Sequence, residues 1–151
     1  MSRCDDSMGT VRLVRHCLVL LILCLSVLAT DAGYGAAQTD FLTFWKTFKS
    51  AVASGNKAAV AEMTEFPMSL YSSHIKNRAE FLGLYGKIFN GEANAAQCFA
   101  SAEPRKESAR GCEIYCPFKE TPEDWGNAPI RFEFELTKSG WKFAGLDNVN
   151  E

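Results

Sequence analysis

Beyond His16, the only histidine in this 151-residue chain is His74. A site that needs two imidazoles is therefore excluded from residue 38 onward. A serine triad would have to use His74, yet no G-x-S-x-G turn exists to present its nucleophile. A Cys–His dyad is conceivable, with His74 beside Cys98, Cys112 or Cys116. Those three cysteines and His74 are also the right ligand types for zinc. Cys112 and Cys116, however, lie four apart in a stretch that reads as a strand, so two ligands there would be too widely separated. No metal and no cofactor is expected. Among the carboxylates, Asp124, Glu133, Glu135 and Asp147 can supply an acid or a base. Glu133 and Glu135 share a strand face about 7 Å apart, near the separation of paired carboxylates in glycosidases. The plainer reading is a solvated charged face beside Arg131, worth little energetically. There is no phosphate-binding glycine loop. Gly83 and Gly86 fall inside a helical pattern and read as permitting close packing against a neighbour.

The chemistry of the cysteines depends on compartment. Arg12, Arg15 and His16 precede an apolar run, Cys17 to Leu28, of signal-peptide length and too short to span a bilayer. Small residues follow, and cleavage after Ala37 is expected. Met8 is an alternative start, and an uncleaved anchor is the alternative fate of the segment. The residue before Cys24 is not small, which argues against a lipoprotein. The expected organisation is a signal peptide over 1–37 and one domain over 38–151, soluble and either periplasmic or secreted from a bacterium. Acidic and basic residues nearly balance, 18 against 16, and no basic patch is interleaved with aromatics, so nucleic acid is not expected as a partner. Membrane contact is expected only through the signal segment, if it stays uncleaved.

Cys98, Cys112 and Cys116 then sit where thiols oxidise. An extended chain would hold the Cα atoms of Cys112 and Cys116 about 13 Å apart. A disulfide needs less than about 7 Å. The bridge expected is Cys98 with Cys112 or Cys116, leaving one thiol over. Three buried, unbonded cysteines are the alternative.

The element pattern is anchored by a hairpin from Ile130 to Val149. Ile130, Phe132, Phe134 and Leu136 alternate with Arg131, Glu133, Glu135 and Thr137, as in a half-buried strand. A polar turn ending in Gly140 follows. Trp141, Phe143 and Gly145 then alternate with Lys142, Ala144 and Leu146, less cleanly sided. Ahead of the hairpin, Thr39–Ser54 reads as an amphipathic helix with an aromatic stripe of Phe41, Phe44, Trp45, Phe48 and Val52. Thr39 or Asp40 would cap it and Gly55 would end it. Asn56 caps a short helix from Lys57 to about Thr64. Phe66–Ser72 is extended. Asn77 to Glu80 resembles a capping box for a helix to about Asn90, so Glu80 has a structural task. Residues 92–110 are ambiguous, with 104–110 reading as an exposed turn. Cys112–Phe118 reads as a strand, and 121–124 as a single helical turn with Trp125 packing the loop down.

This order resembles the nuclear transport factor 2-like, cystatin-like superfamily. The likeness is carried by Phe-Trp-Lys-Thr-Phe-Lys at 44–49, Phe66-Pro67, Arg78 to Phe89, and Phe132 to Leu146 with Trp141-Lys142. It covers most of 39–149. It implies an α+β fold in which a curved antiparallel sheet wraps a long N-terminal helix, with two further helices. It also implies a cone whose mouth can hold a pocket. Tyr71, His74, Tyr85, Tyr115 and Trp141 are the candidate lining, since aromatics with polar tips suit such sites. The expected function is a non-catalytic module binding a small apolar ligand or a partner protein, as a monomer or homodimer. The alternative is a small hydrolase or isomerase using His74 or a buried carboxylate. A cone filled by its own side chains would leave a protein-binding surface.

Overall fold

The computed structural model describes residues 32–150, with side chains from Phe41 onward. Residues from Ala37 on form one compact unit. The targeting segment expected over 1–37 lies almost wholly outside the described residues. Among those described, no helix is long and apolar enough to cross a membrane.

The chain is α+β. Helix α1 spans Ala32–Ala53 and α2 spans Lys57–Glu62. Thr39 and Asp40 therefore lie inside α1 rather than capping it. Gly55, at φ +65°, makes the left-handed exit, and the Asn56 side chain accepts the Ala59 N–H to start α2. Strands β1 (Thr64–Leu70) and β2 (Ser73–Ile75) follow. Helix α3 (Arg78–Asn90) is capped by Asn77, which accepts from the Glu80 N–H, while the Glu80 carboxylate accepts the Lys76 N–H. Helix α4 (Ala95–Ser101), capped by Asn94, resolves the ambiguous stretch. Strands β3 (Arg105–Lys106), β4 (Gly111–Cys116), β5 (Ile130–Thr137) and β6 (Gly140–Asn148) complete the chain. The stretch 104–110 is thus a short edge strand and a turn, and three helices follow α1 rather than two. Residues 119–127 form turns without helix, and Trp125 is 45% exposed rather than packed down.

One open six-stranded sheet runs in the order β2-β1-β6-β5-β4-β3. It is mixed, not wholly antiparallel: β1 lies parallel to β6. The crossover of β2, α3, α4, β3, β4 and β5 between them gives β6 the length of chain a parallel neighbour needs. The β1–β6 ladder is irregular between Thr64 and Ser69, where Pro67, preceded by a cis peptide bond, has no N–H to offer.

The helices cover one sheet face through rings. Phe41, Phe44, Trp45 and Phe48 of α1 all lie within 6 Å of Phe134, and Phe41 sits 4.8 Å from Trp141. Phe89 of α3 and Phe99 of α4 meet Phe132. Such pairs contribute about 0.5–1.5 kcal/mol each beyond area burial. Cys98 of α4 is bonded to Cys116 of β4, and Cys112 remains a free buried thiol.

The second strand of the hairpin is less cleanly sided because it carries a bulge. Phe132 pairs with Leu146 and Glu133 with Gly145, but Phe134 pairs with Phe143, so Ala144 is extra. One extra residue inverts the facing of everything after it. Trp141 and Phe143 face the helices before the bulge. Leu146 faces them after it, and Gly145 and Asp147 are sent to the opposite side.

Gly83 and Gly86 do not admit a neighbour: a Cβ at either would meet nothing within 4 Å. Alanine at each position is therefore expected to stabilise the protein by up to about 1 kcal/mol, through the helix propensity of an exposed interior site. Urea denaturation of Gly83→Ala and Gly86→Ala measures it, and a loss of stability would reinstate the packing role. Breaking the Cys98–Cys116 bridge, by reduction or by Cys98→Ala with Cys116→Ala, should cost about 2–4 kcal/mol. A peptide map without reductant should link those two cysteines and leave Cys112 alkylatable after unfolding.

Candidate functional site: the open face of the sheet

The face turned away from the helices is polar, and strand register sets its layout. Arg105, Glu113, Glu133, Gly145, Ser69 and His74 are successive cross-strand partners from β3 to β2. They form one lateral row across all six strands. Tyr115, Arg131 and Asp147 form the adjacent row. The second row exists only because the bulge returns Asp147 to this side.

Arg131 is the hub. Its guanidinium lies 2.8 Å from Glu133, 2.9 Å from Asp147 and 3.5 Å from Glu113. The Tyr115 hydroxyl donates to the other Glu113 oxygen at 2.8 Å. This is not the solvated face read from the alternation of Arg131, Glu133 and Glu135. The Glu113 side chain is only 12% exposed, and the Arg131 Nε is buried without an acceptor among the described residues. Glu135 alone of the three is exposed. Gly145 makes the room: a Cβ there would stand 2.6 Å from a Glu133 carboxylate oxygen and 3.3 Å from the Ser69 Cβ.

Three carboxylates around one guanidinium leave the patch net negative. Burial raises the Glu133 carboxyl above its ordinary range, with Glu113, Asp147 and Glu135 pushing the same way and Arg131 opposing. Burial also raises the Tyr115 phenol, helped by its bond to Glu113.

The five residues proposed to line a pocket do not share one wall. Tyr115 belongs to the Arg131 cluster, and its ring carries the Arg105 guanidinium at 4.8 Å. His74 is exposed on β2, at the far end of the lateral row. Tyr71, at φ +50°, is half-buried in the β1–β2 turn. Tyr85 and Trp141 are buried on the helix-covered side, Tyr85 against Phe89 and Trp141 against Phe41. The Tyr85 hydroxyl has no hydrogen-bond partner among the described residues, and burial raises its pKa. A single sheet cannot bring Tyr115 and Trp141 into contact with the same small ligand, because they project from opposite faces.

The alternative chemistries lose their parts in the same way. The Cys98–Cys116 bridge removes two of the four zinc ligands considered, and burial raises the remaining Cys112 thiol, as the first of its causes. Cys112 faces the helices, whereas His74 faces away with Ser69. Sequence reading missed Glu113 and Arg105, which only strand register joins to Arg131, and it missed the hollow beside Trp125.

That hollow, about 250 Å³, opens where Tyr115 and Arg105 meet the 125–129 loop and residues Val149 and Asn150. A second, of about 170 Å³, lies on the other side of Trp125, between α4 and Pro117–Lys119.

Neither a protein-family model nor a curated protein matches this sequence. Solved structures do. One is an NTF-2-like protein of unknown function from Shewanella oneidensis, 12% identical over 73% of this chain and 96% of its own, with a TM-score of 0.42. Another is an NTF2-like protein with a cystatin-like fold from Novosphingobium aromaticivorans, 15% identical over 80% and 90%, with a TM-score of 0.41. A third, from Shewanella frigidimarina, is provisionally described as a ketosteroid isomerase, 11% identical over 79% and 96%, with a TM-score of 0.38.

The raised Glu133 carboxyl has a consequence for stability. Below its ordinary value of 4.5, both folded and unfolded chains hold the proton. As pH rises past that value the unfolded chain ionises first, so stability falls until the raised folded value is passed. Glu133→Gln should flatten this part of the curve, measured by urea denaturation from acid to neutral pH. Parallel curves for the two proteins would show that Glu133 is not strained by its surroundings.

Proposed function

We propose that this protein is a non-catalytic binding module of the bacterial periplasm or exterior. It would recognise a partner protein through the open, net-negative face of its sheet. The observation that carries this reading is the filling of the space under the helices. Phe41, Phe48, Phe81, Phe99, Phe132, Phe134 and Phe143 are all fully buried there and pack on one another. A small apolar ligand in that interior would have to displace them. The open face, by contrast, presents a preorganised charged array with its rotamers fixed by mutual bonds.

A partner with complementary basic groups is the chemistry that array favours. Charge complementarity of this kind governs association rate and selectivity more than raw affinity. The exported location is supported by the leader sequence and by the Cys98–Cys116 bridge, which suits an oxidising compartment. A hydrolase or isomerase is less well supported. His74 is exposed with no carboxylate among the described residues bonded to it, and Glu133 holds Arg131.

Asp147→Lys reverses the charge of the most exposed member of the cluster, 41% exposed, and so tests the reading with little threat to folding. In affinity capture from the exported fraction, the wild type should enrich a partner, whether another protein or a second copy of this chain. Asp147→Lys should lose it by about tenfold, equivalent to about 1.4 kcal/mol. Equal capture by both proteins, with matching circular dichroism, would refute the assignment to this face.

A further inference from the structure

Among the described residues, three large hydrophobic side chains are exposed: Leu42, Trp125 and Val149. Two of the three, Trp125 at 45% and Val149 at 47%, line the same 250 Å³ hollow. Tyr115 and Arg105 line it too, with the guanidinium over the Tyr115 ring at 4.8 Å. Asn127 and Asn150 line it as well.

Arg105 stands out because its cross-strand neighbour is a carboxylate that it does not engage. Glu113 is its register partner, yet both Glu113 oxygens are committed, one to the Tyr115 hydroxyl and one to Arg131. The Arg105 guanidinium carbon lies 4.8 Å from the Tyr115 ring centroid, and no ion pair among the described residues takes up its N–H donors. A guanidinium resting against a ring with its donors unclaimed suits a planar carboxylate, which it can meet with two parallel bonds. One such group beside an acidic cluster suits a single negative charge better than a phosphate dianion.

The rest of the hollow fits a hydroxylated ring. The Trp125 indole offers an apolar face, as an aromatic with one wet side does in polar sites. The Asn150 amide donates to the Asn127 oxygen at 3.3 Å. That leaves the Asn127 amino group and the Asn150 oxygen for hydroxyls, which both donate and accept. The volume is below the roughly 300–1,000 Å³ of drug-sized pockets, so a single ring is the right scale.

We propose that this hollow binds a monosaccharide bearing a carboxylate, of the uronic acid type. The carboxylate would lie on Arg105, the ring against Trp125 and the hydroxyls on Asn127 and Asn150. The hollow shares Tyr115 with the Arg131 cluster but does not include Asp147, so Asp147→Lys and Arg105→Gln report on the two readings separately.

The test is a proton–nitrogen NMR titration of the protein with glucuronate, glucose, acetate and inorganic phosphate in turn. Glucuronate should shift the Trp125 indole N–H and the side-chain amides of Asn127 and Asn150. Glucose should bind about tenfold more weakly, the loss expected for one charge-assisted pair. Acetate and phosphate should leave the indole unmoved. Arg105→Gln, at an exposed site, should abolish the preference for glucuronate over glucose, and Trp125→Ala should weaken both sugars. No shift with glucuronate overturns the proposal, and so do equal affinities for glucuronate and glucose. It also fails if acetate or phosphate alone reproduces the shifts, or if Arg105→Gln retains the preference.

Discussion

The ring of Phe134 is the point on which the fold closes. Five aromatic side chains reach it from two directions: Phe41, Phe44, Trp45 and Phe48 from α1, and Phe143 from the neighbouring strand. Most of these meet it edge-on, the arrangement that aromatic quadrupoles favour. Because Phe134 sits in the middle of β5, fixing it fixes the register of the strands on either side. The long helix then has one seat on the sheet. Phe48 extends the contact to Phe89 and Phe99, so α3 and α4 are held by the same interlock.

The bulge at Ala144 separates what the two faces do. Ahead of it, β6 supplies Trp141 and Phe143 to the interior. Beyond it, the facing inverts, so Leu146 is kept inside while Gly145 and Asp147 go out. An unbulged strand would have aimed the Asp147 carboxylate into the aromatic layer, where an unpaired charge is very costly. It would also have denied Arg131 one of its three partners. The polar array is therefore a by-product of the same irregularity that lets the interior stay apolar. Glycine at 145 completes it, since any side chain there would occupy the space of the Glu133 carboxylate.

Much of the architecture was legible because it rests on local rules. The alternation through Ile130–Leu136, the aromatic stripe of α1 and the caps at Asn56 and Asn77 each follow from side-chain period or from one backbone bond. The Cys98–Cys116 pairing was half legible: strand geometry excludes a bridge between Cys112 and Cys116, but choosing between them needs the position of α4. The parallel neighbour of β6, the two-residue strand β3 and the six-strand order were not legible. They depend on pairings between residues far apart in the chain, and no local pattern records such a partner. Gly83 and Gly86 misled for the same reason, as a glycine in a helix looks alike whether it faces a neighbour or water.

The sequence by itself determined the fold class, the hairpin, the apolar side of each long element and the set of groups available for chemistry. Those follow from periodicity and residue type, which need no knowledge of neighbours. Only the tertiary structure decided which of those groups meet. Tyr85 and Trp141 went to the helix-covered side, and Tyr115 joined Arg131, Glu113, Glu133 and Asp147. Arg105 was left over the Tyr115 ring near Trp125, with no ion pair among the described residues. A one-residue offset in pairing settles all of this, because side chains on a strand change face at every step.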